Sequence, residues 1–170
     1  RAVDEHLDTT VAIKEYYPRQ IAGRTGRSER YEANEDVDGP LEVHPHTDQD
    51  TEEFKRGLQR FMEEGRTIAR FDHPNVVDVK SYFEQHGTGY LVMDYYEGQS
   101  LAERLAEEGG RLPEEEALSY IEDVLAGLEA VHAESVLHRD IDPQNIYLSG
   151  EDSSSHGPRA VLIDLGAARE

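Results

Sequence analysis

The side chains best suited to chemistry in this chain of 170 residues sit at a few fixed spacings. In the run His138-Arg139-Asp140-Ile141-Asp142-Pro143-Gln144-Asn145, Asp140 offers a carboxylate that can accept a proton. Asn145, five positions on, offers an amide oxygen suited to a hard cation. Asp164 follows the apolar run 160–163 and stands two residues before Gly166. Far upstream, Lys14 closes the run Val11-Ala12-Ile13. Each has an ordinary alternative. An Asp and an Asn in a loop bond to nearby backbone, an Asp before a Gly makes a turn, and a Lys at a strand end is simply solvated. Those readings explain neither the His-Arg pair beside Asp140 nor the spacing to Asn145. Arg139 is read as organising the loop electrostatically, and His138 as a packed, hydrogen-bonded imidazole.

These residues need a scaffold, and the apolar pattern outlines one. Residues 10–13 read as a short strand. Residues 19–50 are rich in Gly, Arg, Asp, Glu and Pro with little periodicity. They read as an irregular insertion carrying a small hairpin around Asp38-Gly39-Pro40. From Thr51 the spacing predicts a helix, with Phe54, Leu58, Phe61, Met62, Gly65, Ile68 and Ala69 on one stripe. The turn His73-Pro74-Asn75 ends it, because proline disfavours helical geometry at the preceding residue. Strands are predicted over 76–84 and 89–94, joined as a hairpin through Gln85-His86-Gly87-Thr88. Ser100-Leu101-Ala102-Glu103 has the form of a capping box, and its short helix stops at Gly109-Gly110. Pro113 suits a first helical turn. After it, Ala117, Leu118, Ile121, Val124, Leu125, Leu128 and Val131 mark the longest amphipathic helix. Short apolar runs at 135–137, 146–148 and 160–163 bracket the His-Arg-Asp loop, and no internal repeat is present.

Composition narrows the partners. A formal charge of -20, from 37 acidic and 17 basic residues, opposes binding to nucleic acid or to an anionic membrane. Without cysteine, neither a disulfide framework nor a thiolate metal site can form. No apolar run is long enough to cross a membrane, so a cytoplasmic protein is expected, with any anchor outside this stretch.

In order, Val11-Ala12-Ile13-Lys14, His138-Arg139-Asp140 with Asn145, and Ile163-Asp164-Leu165-Gly166 resemble the motifs of bacterial eukaryotic-like (Hanks-type) Ser/Thr protein kinases. The resemblance runs from about Val11 to Arg169. It implies an α+β, two-lobed protein-kinase-like fold, truncated at both ends. Residues 1–97 would be a partial small lobe and hinge, a sheet plus helix C with the insertion at about 19–50. Residues 98–170 would begin the helical large lobe, with Gly98 near the joint. It implies ATP and Mg²⁺ as cofactors and a Ser/Thr hydroxyl of a protein as acceptor. Asp140 would be the base, Arg139 its organiser, Asn145 and Asp164 the metal ligands, and Lys14 the contact to the α- and β-phosphates. Lys14 then needs a carboxylate on the following helix. At about 100° per residue Glu64 borders the apolar stripe, one turn from Phe61 and Ile68, and Glu63 points away, so Glu64 is the partner. By the same resemblance Met93 is the gatekeeper, and the backbones of Asp94 and Tyr96 bond the adenine edge. Ala12 and Tyr147 sandwich the ring, and Val79, Ile68, Leu165 and His138 stack as the regulatory spine.

Departures from the family pattern matter. Neither the glycine-rich loop nor the activation segment falls in this stretch, which on its own is expected to be inactive. Leu165 replaces a phenylalanine and keeps its apolar character. Asp142 stands where the family usually has a lysine on the γ-phosphate. Losing one such stabiliser costs about 10²–10³ in rate, so slow transfer is expected, and Asp142→Lys should raise turnover. The rival reading is a pseudokinase, a nucleotide-binding regulatory scaffold. A small-molecule kinase of the same fold is the third.

The charge itself generates a prediction. Like-charge repulsion at -20 opposes the compact state, and salt screens it. Thermal midpoints of the full-length protein should rise in molar KCl. A rise would support reading the acidic surface as adaptation to high salt, and a flat or falling midpoint would leave only a solvated acidic surface.

Overall fold

The computed structural model describes residues 1–25, 41–150 and 158–164. Strands Ala2–Asp4 (β1), Thr9–Glu15 (β2), Val79–Gln85 (β5) and Thr88–Asp94 (β6) form one antiparallel sheet in the order β1-β2-β6-β5. The β5–β6 connection is the predicted hairpin. His86 and Gly87 both take left-handed φ, 51° and 74°, and that pairing matches the twist of the flanking strands. β1 lies in the polar opening residues, where no alternation announces a strand. It is held by its register on β2, with Val3 opposite Thr10.

Helix Asp48–Ile68 (α1) packs on β5 and β6 and buries Phe54, Phe61, Gly65 and Ile68. It starts three residues before the predicted Thr51, because Thr47 caps it and accepts a bond from the Asp50 amide at 3.2 Å. It also ends earlier than the proline requires, so Ala69 is its exposed C-cap and not part of the buried stripe. At Gly65 a Cβ would collide with Leu91 Cδ2, so glycine lets α1 lie against β6. That closeness brings the next residue back along the helix, Glu64, over β2.

Residues 19–50 correct the expectation of an irregular insertion. Ala22–Thr25 (β3) pairs with Glu42–Pro45 (β4), and α1 begins within the same stretch. The apolar residues there are too few to show a period. Ala22 and Val43 find their core only by packing against Phe54 of α1, with Tyr16, Tyr17, Ile21 and Leu58 around them. The turn expected around Asp38-Gly39-Pro40 lies outside the described residues.

A second layer carries the loop chemistry. Gly98–Ser100 (β7), Ile146–Ser149 (β8) and Arg159–Leu162 (β9) form a sheet in that order. Leu101–Glu107 (α2) starts at the predicted capping box, with both reciprocal bonds between Ser100 and Glu103 present. Glu114–Ala133 (α3) follows Pro113 and packs on β9. The predicted strand over 76–84 begins only at Val79. Val76 instead bridges Leu162 and the Val77 amide bonds the Leu162 carbonyl at 2.8 Å. The buried Asn75 donates its side-chain amide to the Ala160 carbonyl at 2.8 Å and accepts the Leu162 amide on its own carbonyl at 2.9 Å. The turn after α1 therefore fastens the first sheet to β9.

The stripe predicted for α3 is divided. Tyr120, Gly127 and Val131 are buried, with Val124 and Leu128 against the core. Leu118, Ile121 and Leu125 remain 52%, 53% and 59% exposed along one face. Contiguous apolar surface of this kind drives association. The 170-residue chain on its own should self-associate in sedimentation. Replacing all three residues by glutamine should return it toward monomer at unchanged helix content by circular dichroism. Equal association of both forms would exclude this face.

Candidate functional site

A cleft of about 350 Å³ opens between the first sheet and the β7-β8-β9 layer. Its apolar walls come from Ala12 and Ile13 of β2, Val77 and Met93, and Tyr147 and Ile163 on the far side. Asp94, Tyr95 and Tyr96 line the connection between the layers, and Lys14, Asn145 and Asp164 also line the cleft. Strand alternation supplies the first wall. Lys14 and Ala12 share one face of β2, and register on β6 sets Ala12 opposite Met93.

Lys14 is the electrostatic centre. Its Nζ donates to Asp164 Oδ1 at 2.9 Å and to Glu64 Oε1 at 3.3 Å. Glu63 instead points outward and accepts from Gln59 at 2.8 Å. Burial pulls the lysine pKa down, but Glu64 and Asp164 outweigh it and the ammonium stands above its ordinary value. Burial pushes Glu64 up, and Asp164 adds to that push against the pull of Lys14.

The loop that carries Asp140 is built by local bonds. Arg139 is exposed, adopts a left-handed φ of 62° and is not among the cleft's lining residues. His138 is 1% exposed, and burial holds its pKa below the ordinary value. It is packed as expected, and among the described residues neither ring nitrogen has a hydrogen-bond partner. Asn145 donates its side-chain amide to Asp140 Oδ2 and to the Asp140 carbonyl, both at 3.0 Å. Those bonds fix the base candidate to the amide nitrogen and leave the amide oxygen as a candidate ligand. Asp142 has an unforeseen task. Its carboxylate accepts the Gln144 amide at 2.9 Å, and its carbonyl accepts the Asn145 amide at 2.8 Å. It thereby caps the single 3-10 turn Pro143–Asn145 that presents Asn145.

The remaining expectations are placed as follows. Ala12, Met93, Asp94, Tyr96 and Tyr147 all line the cleft. The Asp94 amide is taken by the Asp78 carbonyl at 3.0 Å, so the adenine contact expected of this backbone narrows to its carbonyl. Tyr147 is pinned by its hydroxyl to the Gly98 carbonyl at 2.7 Å. Ile68 and Val79 share one buried cluster, and Leu165 lies outside the described residues. Ile13, Val77, Tyr95 and Ile163 were missed as cleft residues. Only the bridge from Val76 to Leu162 brings Val77 there, and no sequence period encodes it.

The residues present fit a magnesium nucleotide. Asp164 and Asn145 are hard oxygen donors on one cleft, and Mg²⁺ takes one or two protein ligands with phosphates and water completing its shell. A lysine beside them suits phosphate, and the apolar walls suit a flat ring.

A sheet joined to a helical layer across a cleft with this polar set defines the protein-kinase fold. Residues 42–170 match the protein kinase domain, and the chain belongs to that family. A solved apo structure of PpkA-294 superposes with a TM-score of 0.81 at 30% identity, over 98% of this chain and 52% of that one. The Ser/Thr-protein kinase PkaB of Streptomyces coelicolor is 34% identical over 156 residues, 91% of this chain and 37% of its own. Pkn2 of Myxococcus xanthus, another named Ser/Thr kinase, is 35% identical over 111 residues, 65% of this chain and 13% of its own. The chain thus spans well under half the length of these curated relatives.

The lysine shift sets a pH dependence. A raised folded pKa means its contribution to stability is complete below the ordinary lysine value of about 10.4 and is lost as pH rises through the raised one. Wild type should melt above Lys14→Met at neutral pH, and the gap should close at strongly alkaline pH. A gap independent of pH would mean the ion pairs contribute nothing.

Proposed function

We propose that this chain is the catalytic part of an ATP- and Mg²⁺-dependent protein kinase that phosphorylates Ser/Thr hydroxyls of proteins. The observation that carries the reading is the meeting of Lys14, Asn145 and Asp164 on one apolar cleft, with Asp140 bonded to Asn145. Bound Mg-ATP supplies the phosphoryl group and the cation that neutralises its charge. Lys14, held by Glu64, positions the α- and β-phosphates. Asn145 and Asp164 hold the metal, and Asp140 orients the hydroxyl and accepts its proton. Arg139 keeps that loop in place. Ala12, Met93 and Tyr147 enclose the ring, and the Asp94 carbonyl and Tyr96 backbone meet its edge. Residues 1–97 act as small lobe and hinge, and 98–170 as the start of the large lobe. With ATP as donor, the domain works in the cytoplasm. Among the described residues, no helix is long and apolar enough to cross a membrane.

Asp142 keeps the pseudokinase as the second reading, because a carboxylate replaces a cation there. Its capping bond supplies a reason for an acid at this position. Asp142→Lys therefore removes a repulsion and a cap together. Asparagine caps about as well as aspartate and carries no charge, so the two effects can be separated.

In the full-length protein, calorimetry should show Mg²⁺-dependent ATP binding that Asp164→Asn uncouples from the metal. Metal dependence surviving that change would remove Asp164 from the site. Turnover on a Ser/Thr peptide should rise in Asp142→Asn, with ATP affinity nearly unchanged. Asp142→Lys should gain less than charge alone predicts. Clear ATP binding with no transfer in wild type would establish the pseudokinase.

A further inference from the structure

A second cavity, of about 620 Å³, lies outside the cleft, where the connection following β2 crosses α1. Tyr16 forms one wall. It reaches that place because α1 carries glycine at 57, where a Cβ would stand only 2.8 Å from Tyr16 Cζ. Arg19 lines the cavity from the connection, and Arg56 and Arg60, one turn apart, line it from α1. Glu53 is the one acid among the lining residues. Arg56 gives its Nε to the Glu52 carbonyl at 3.1 Å, which leaves its terminal nitrogens for another acceptor. Arg19 lies over the Tyr17 ring at 5.9 Å.

Among the described residues none of these three arginines has a carboxylate within ion-pair distance. Lys14, Arg24, Lys55, Lys80 and Arg104 do, and Arg1, Arg66, Arg111 and Arg139 also lack one but do not line this cavity. In a chain with 37 acids to 17 bases, three unpaired guanidinium groups on one cavity run against the overall charge. Glu53 offsets one of the three charges on the cavity, and a multiply charged anion would neutralise the remainder. Guanidinium forks match phosphate oxygens in pairs of parallel bonds.

We propose that this cavity binds a phosphomonoester dianion and that its occupancy stiffens the joint between β2 and α1. The site bridges the two elements that carry Lys14 and Glu64. Arg19 follows β2 in the chain, and Arg60 lies one turn before Glu64 on α1. An anion drawing Arg19 toward Arg56 and Arg60 holds these elements together. A ligand that favours the paired arrangement is in turn bound more tightly by it. The binding site stands without the proposed activity, and only its effect on turnover rests on that reading. The phosphoryl group can belong to a phosphorylated Ser/Thr side chain or to a small phosphorylated metabolite.

The test is calorimetry and thermal shift on the full-length protein without nucleotide. Inorganic phosphate, a phosphoserine peptide with its unphosphorylated control, and a sugar phosphate are titrated at ionic strength held constant with KCl. Saturable stabilisation by phosphate is expected, and Arg56→Gln/Arg60→Gln should weaken binding by about 10-fold per arginine. Asp164→Asn should leave it unchanged. Tighter binding of the phosphopeptide than of free phosphate identifies a protein-borne ligand, and tighter binding of the sugar phosphate a metabolite. A response no larger than that of KCl overturns the proposal. So does equal binding by the double variant, or tighter binding in Asp164→Asn, since losing that carboxylate's repulsion matters only to phosphate in the cleft. With binding intact and no effect on turnover, the site stands and the link to α1 is removed.

Discussion

One ammonium group ties together three distant parts of this chain. Lys14 on β2 meets Glu64 of α1, 50 positions away, and Asp164 beyond β9, 150 positions away. Placing a charge in a partly buried setting is costly, and only two carboxylates in close contact make it favourable. The dependence runs both ways. Glu64 is strained as a charge by its own burial and by Asp164, so these acids share a site because the lysine stands between them. The contact joins β2, α1 and the segment after β9 at one point.

A neutral device supports the charged one. The buried amide of Asn75 and the backbone around it bond Ala160 and Leu162, which lie just before Asp164. A buried amide must find partners, so this site has few alternative arrangements. It aligns β9 with the segment leading into β5, whatever the ionisation of the cleft. The carboxylate in the lysine contact therefore follows a strand already fixed in place.

Much of this was legible in the residues. The capping box at Ser100, the hairpin at His86-Gly87 and the stripe on α1 rest on local rules, and a local rule needs only neighbouring residues. The choice of Glu64 over Glu63 rested on helix geometry, and the Lys14 contact has that geometry. The family resemblance pointed to one cleft, and the short span from Asp140 to Asn145 let those two side chains bond directly. Elements without a local signature stayed hidden. β1 and β7 are three residues each, and β3 and β4 acquire a core only from Phe54 on α1.

The sequence by itself determined the family, the residue types available for chemistry and the order of the major elements. These depend on residue identity and spacing, which need no third dimension. Tertiary structure alone decided that Asp142 caps the turn holding Asn145, that Val77 and Ile163 complete the cleft, and that three arginines gather over Tyr16. It also decided which apolar residues of α3 are covered and which face outward. The physical reason is the same in each case. A side chain's surroundings are set by which distant segments pack beside it, and a periodic pattern records only that a face is apolar.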